Sequence, residues 1–233
     1  MNITDILEDS PNGYDILRNV PEDVDEAIRH YLVLINGFPV ERFPLECALS
    51  NYAMGKLLFA DTSRPKVSEE RARRIENGLY HLNNALQVLN QRDYPVMFSI
   101  ISTMMGHLYR ERALLTSNRS FLSDRATPED SIAFGIDQLL EAFPVFFLCN
   151  QYVFEHAVCS LEAGWLYVLQ SELLEHFKDD STRQQAATYL DRALSLSQSL
   201  AKRGHAVYTV PGQAERGPLH PISQHPYCSW HTH

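Results

Sequence analysis

Apolar residues return every three or four positions along most of this chain, the spacing of one face of an α-helix. Val24, Ile28, Tyr31, Leu32 and Ile35 form such a stripe after Pro21, whose fixed φ suits a first helical turn, and Gly37 and Pro39 end it. A second pattern begins near Pro44 and runs to about Ala60, and Asp61 to Val67 reads as a loop. Ser68 then caps a helix reaching about Asn90, with Ile75, Leu79, Leu82, Leu86 and Leu89 on one face. Another helix is predicted from Pro95 to about Leu115, followed by a polar, irregular stretch from Thr116 to Ala126. Thr127-Pro128-Glu129-Asp130 places a capping hydroxyl, a first-turn proline and two acids at the next helix start. From Phe143 to Phe177 the pattern stays helical, with Pro144 expected to bend or restart it. Thr182 opens the last helix, which carries Tyr189, Leu190, Ala193, Leu194 and Leu196 and stops at Gly204 behind Lys202 and Arg203.

Within these helices one pattern occurs three times. Its first half reads Asn51-x2-Met54-Gly55-x2-Leu58, Ser102-x2-Met105-Gly106-x2-Tyr109 and Ser160-x2-Ala163-Gly164-x2-Tyr167. Its second half reads Gly78-x3-Leu82-x2-Ala85-Leu86, Gly135-x3-Leu139-x2-Ala142-Phe143 and Ala186-x3-Leu190-x2-Ala193-Leu194. A small residue among larger ones at helical spacing is what two antiparallel helices need where their backbones approach closely.

This pattern resembles the tetratricopeptide repeat, in which a large apolar residue, Gly and an aromatic mark helix A, and Ala, an aromatic and Ala mark helix B. Three departures accompany the resemblance. The aromatic that usually opens the helix A motif is Asn51, Ser102 or Ser160 here, and the proline that usually closes helix B is Asn90, Phe147 or Gln198. The copies recur at Gly55, Gly106 and Gly164, well beyond the ~34-residue period of the standard repeat, which implies longer helices or inserted connections. The fold class implied is all-α, with antiparallel helical hairpins stacked as a TPR-like α-solenoid. Residues 1–42 would form an amino-terminal helical segment, 43–204 three hairpins, and 205–233 a tail.

The resemblance implies a non-enzymatic scaffold whose helix A faces line a groove for a peptide or helix of a partner protein. The groove positions are Tyr52, Lys56 and Phe59 in the first copy, Thr103, His107 and Arg110 in the second, and Leu161, Trp165 and Val168 in the third. Such aromatic and basic groups combine area with directional polar contacts. Phe59, Leu161 and Trp165 serve equally as core residues. The carboxylate clamp of chaperone-binding members does not transfer, because its Lys, Asn and Arg positions hold Tyr52, Lys56, Met104, Val158 and Glu162.

Composition adds constraints of its own. The 233 residues are 45% hydrophobic, enough for one sizeable core. Asp and Glu number 29 against 20 Lys and Arg, a net charge of −9 that disfavours nucleic acid and anionic membrane surfaces and suits a basic partner segment. The apolar run Ala142 to Cys149 is short of a membrane span, and Asp5, Glu8 and Asp9 are unlike a signal peptide, so a cytoplasmic protein is expected. Cys47, Cys149, Cys159 and Cys228 are scattered, and the first three read as small buried hydrophobes. The sequons at Asn2 and Asn118 are read as chance matches.

Catalytic and cofactor patterns are few. The chain contains no H-E-x-x-H, P-loop, G-x-G-x-x-G, G-x-S-x-G or E-x-x-H sequence, so no cofactor is expected. His107-x3-Glu111 and Glu172-x3-His176 are i,i+4 pairs read as solvated surface pairs. From His205 the composition shifts to Pro211, Pro218, Pro221, Pro226 and several histidines, which reads as a disordered tail. There His225, Cys228 and His231, with His220 and His233, have metal-ligating side chains without the spacing of known sites. The alternative function is an all-α enzyme or small-ligand binder with an interhelical pocket.

Overall fold

At three helix starts in this chain, short polar residues satisfy free N–H groups of the first turn. In the computed structural model Asp23 accepts the Glu26 N–H at 2.9 Å and opens α2 (Val24–Gly37), which follows the short α1 (Gly13–Arg18). Thr127 Oγ1 accepts the Asp130 N–H at 3.0 Å and donates to Asp130 Oδ2 at 2.7 Å, the reciprocal box expected from Thr127-Pro128-Glu129-Asp130. That box opens α6 (Pro128–Leu148), and Asp179, accepting the Thr182 N–H at 2.8 Å, opens α8 (Asp180–Lys202). Between these lie α3 (Pro44–Asp61), α4 (Ser68–Leu86), α5 (Pro95–Ser117) and α7 (Val153–Leu173), with 3-10 turns at Asn150–Tyr152 and Glu175–Phe177.

The structure describes residues 10, 12–18, 20–61, 68–117, 127–148, 150–177 and 179–202, and among them it is all-helical and repeat-like, without strands. The stretch 205–233, with its His225, Cys228 and His231 cluster, lies outside the described residues. The chain divides into two compact units, one through Met104 and one from Met105. In the first, α3 packs along α4, and α1 and α2 lie on α3, around Leu49, Met54, Ile75 and Leu82. In the second, α7 packs along both α6 and α8, around Leu108, Ile132, Leu139, Phe146 and Leu166.

The motif glycines mark where each helix A meets its helix B. A Cβ on Gly55 would lie 2.5 Å from Leu82 Cδ2, one on Gly106 2.6 Å from Leu139 Cγ, and one on Gly164 2.7 Å from Leu190 Cδ2. These leucines are the same position of the second half-motif, one turn before Ala85, Ala142 and Ala193. Each of the three hairpins therefore has the same kind of contact, in which the missing side chain of helix A leaves the space the helix B leucine fills.

Four expectations are revised. α4 ends at Leu86 rather than near Asn90, because Asn90 Oδ1 accepts the N–H groups of Arg92 and Asp93, each at 3.0 Å, and turns the chain toward α5. α6 runs through Pro144 to Leu148, and the break falls at the 3-10 turn instead. Pro144 sits on the exposed side, where water can satisfy the Leu140 carbonyl that loses its partner, while Phe143 and Phe146 hold the buried side. The stripe on α2 is only partly used: Ala27 and Tyr31 are buried, whereas Leu32 is exposed beside Val33. Finally, α6, with 21 residues, is long and apolar enough to cross a membrane by length and composition, although its buried side is packed on α7.

Candidate functional site

The second and third helix A segments bring together the most unusual side chains in the chain. On α5, His107, Arg110 and Glu111 fall on neighbouring turns, and on α7 Glu162 and Trp165 are three residues apart, so each set shares a helix face. Glu162, 1% exposed, is met by His107 Nδ1 at 3.0 Å through Oε1 and by Arg110 Nε at 2.8 Å through Oε2. Arg110 Nη2 also reaches Glu111 Oε1 at 3.3 Å and His107 Nδ1 at 3.0 Å. Two arrangements compete for that ring nitrogen. Carrying a proton it donates to Glu162, and without one it accepts from Arg110.

All four side chains are buried, which corrects the reading of His107 and Glu111 as a solvated surface pair. Withdrawing a guanidinium and two carboxylates from water is tolerated because each finds its counter-charge within hydrogen-bonding distance. Arg110 is thereby committed to Glu162 and Glu111 and is not a surface group waiting for an acidic partner. The only hint of this in the sequence is Glu162, an acid inside the apolar run Val158 to Leu169.

The remaining groove positions divide by burial. Tyr52, Phe59, Thr103 and Leu161 are buried, and Thr103 donates its hydroxyl to the Ser99 carbonyl at 2.8 Å. Burial pushes the Tyr52 hydroxyl well above its ordinary pKa, with the nearby Tyr31 adding to the effect. Lys56, Trp165 and Val168 are half-buried. The Trp165 ring nitrogen faces inward and meets no acceptor among the described residues, so the indole offers solvent an apolar edge. Lys56 belongs to the first unit and Trp165 and Val168 to the second.

A second polar chain runs through the first unit. Asn51, at the position that opens the helix A motif, donates from Nδ2 to the Cys47 carbonyl at 2.9 Å, and its Oδ1 lies 2.9 Å from His81 Nδ1. Burial holds His81 below the ordinary imidazole pKa and pushes the half-buried Cys47 thiol up. A thiol held protonated, with an amide between it and the imidazole, has no activated nucleophile. Asn51 thus bridges α3 to α4 where the repeat family has an aromatic. Ser160 fills the same position in the third copy and donates to the His156 carbonyl at 2.8 Å. Cys159 is buried, as expected, with its thiol 3.6 Å from the Leu139 carbonyl.

In the second unit, α6, α7 and the start of α8 enclose a surface cleft of about 390 Å³. Asp137, Tyr167, Gln170, Phe177, Asp179 and Gln185 line it, together with Ala133, Ile136, Ser181 and Thr182. Tyr167 stacks on Tyr189 at 5.5 Å, and burial, Tyr189 and Asp137 together raise its pKa. Asp179, fully exposed, is held below the usual carboxylate range by hydrogen bonds from the Thr182 backbone and side chain. No motif in the sequence marks this cleft, because its walls come from α6, α7, the second 3-10 turn and the start of α8, spread along the sequence from Ala133 to Gln185. Among the described residues no three His, Cys, Asp or Glu side chains converge to hold a metal ion. Comparison with family models, with curated proteins and with solved structures returned no match.

Proposed function

We propose that this protein is a non-catalytic interaction scaffold of TPR-like hairpins stacked as an α-solenoid, which takes a peptide or helix of another protein. The observation that carries the reading is the glycine–leucine seam found in each of the three hairpins, Gly55 on Leu82, Gly106 on Leu139 and Gly164 on Leu190. A unit repeated around one packing contact leaves its other helix faces free to vary, and such faces are what helical repeat proteins use for recognition. Of the helix A positions, the half-buried Lys56, Trp165 and Val168 retain surface for a partner. In the second unit His107 and Arg110 hold Glu162 and with it the face of α7 that carries Trp165.

The test is affinity purification of the full chain with cross-link mapping, followed by titration of the mapped partner segment against purified variants. Trp165→Ala, Val168→Asp and Lys56→Glu are chosen because each alters the partly exposed helix A surface. Loss of about 2 kcal/mol of binding on Trp165→Ala, with helicity retained, is the expected result. Unchanged binding in all three variants would place the partner elsewhere. Turnover of a small substrate by the purified chain would replace the scaffold reading altogether.

A further inference from the structure

One side of α6 is apolar but not used by the core. Successive helical residues turn by about 100°, so Phe134, Asp137, Leu140, Glu141, Pro144 and Phe147 share one side, and all are exposed. Phe134 is 53% exposed, Leu140 41%, Phe147 66% and the adjoining Leu148 79%. The opposite side, with Ile132, Leu139, Ala142 and Phe146, is buried. Large apolar side chains aligned along an exposed helix are what an amphipathic partner helix covers.

The charge on this helix is of one sign. α6 carries Glu129, Asp130, Asp137 and Glu141 and no Lys, Arg or His. The cleft beside it continues the pattern, since Ala133 and Asp137 belong to both, and Asp179 stands on its α8 side. The start of α8 would by itself attract an anion. Asp179, however, already accepts the Thr182 N–H at 2.8 Å, so the full charges lining the cleft are both negative. Tyr167 and Phe177 add aromatic walls suited to the stem and cationic head of a Lys or Arg.

We propose that the outer face of α6 and the adjoining cleft dock an amphipathic basic helix of another protein. Its apolar side chains lie on Phe134, Leu140, Phe147 and Leu148, and one Lys or Arg enters the cleft between Asp137 and Asp179. The inference rests on the scaffold reading and adds to it a second surface with a stated partner chemistry.

The probe is a fluorescent synthetic Leu/Lys peptide patterned as an amphipathic helix, titrated against the full chain by anisotropy. The same peptide scrambled, and a Leu/Glu peptide of the same pattern, serve as controls. Binding of the patterned Leu/Lys peptide alone is expected, weakened about tenfold or more by Leu140→Ser with Phe147→Ser and weakened also by Asp137→Lys, with thermal melts matching the parent. Absence of binding, equal binding of the scrambled peptide, or indifference to these substitutions would overturn the proposal. So would cosedimentation with phosphatidylcholine vesicles that Phe147→Ser abolishes, which would assign the face to a bilayer, or self-association lost in the same variant, which would assign it to a second copy. A natural partner that Trp165→Ala releases and Leu140→Ser with Phe147→Ser does not would leave the scaffold reading standing and remove this one.

Discussion

At the scale of residues, the buried polar groups decide more than their number suggests. Glu162, Arg110 and Glu111 are withdrawn from water together, and removing Arg110 or Glu162 takes from the other the counter-charge that lies 2.8 Å from it. Glu162→Ala and Arg110→Ala are each expected to cost about 3–5 kcal/mol in urea unfolding, with the double variant costing clearly less than their sum. Strict additivity would show that the two do not act as a pair. His156 gives a pH signature of its own. Its ring lies 5.5 Å from that of Phe143 and 6.2 Å from that of Phe147, and burial first, then the charge of Arg192, lowers its pKa below the reference 6.5. In the window between the folded and unfolded values the unfolded chain carries a proton that the folded chain lacks, so stability rises with pH there. Acidification from neutral through about 6.5 therefore destabilises the fold, until the folded value is passed and the loss levels off. His81, lowered by burial, acts with the same sign. His156→Gln is expected to flatten the pH dependence of the urea midpoint without abolishing it, and an unchanged profile would assign the slope to other groups.

At the scale of elements, helix packing here depends on absent side chains. Leu82 and Leu190 bring their backbone nitrogens to 3.3 Å and 3.2 Å from the Cβ position of Gly55 and Gly164, and the three atoms nearest that of Gly106, at 2.6 to 3.0 Å, belong to the side chain of Leu139. A side chain can change rotamer and a helix backbone cannot do so without moving the helix. Gly55→Leu, Gly106→Leu and Gly164→Leu are accordingly expected to cost ~1–3 kcal/mol each. Melting temperatures equal to the parent's in all of these variants would remove the seam as the organising contact. That each helix A meets its helix B at the motif glycine was legible in the sequence from the spacing of small residues, whereas the contact falls on Leu82, Leu139 and Leu190, one turn before the small residues Ala85, Ala142 and Ala193 where that spacing put it. The end of α4 and the passage of α6 through Pro144 were not, because each depends on what surrounds the residue. Asn90 ends a helix only by accepting two N–H groups beyond it, and Pro144 is accommodated only because its side of α6 faces water.

At the scale of the whole chain, the candidate site was less legible than the fold. The helix A positions were chosen by register, and register does not distinguish a side chain facing a groove from one facing a neighbouring helix. Tyr52, Phe59 and Leu161 are buried, while the acid that organises His107 and Arg110 lies 55 positions from that histidine. The acidic, apolar face of α6 is hidden for the opposite reason: both sides of the helix are apolar, so pattern alone cannot tell which one the core takes. A similar question concerns which residues contribute to stability at all. From His205 onward the sequence holds Pro211, Pro218, Pro221 and Pro226 and little beyond Leu219 and Ile222 as aliphatic bulk. Deleting 205–233 is therefore expected to leave the melting temperature and the helical circular dichroism per helical residue unchanged, since the seams that join helix A to helix B all lie before it. Zinc is expected to have no effect on either, because His225, Cys228 and His231 lack the paired spacing that holds ligands in place. A zinc-dependent rise in melting temperature, lost on replacing those three residues, would show instead that the carboxyl-terminal stretch carries a metal centre and belongs to the folded protein.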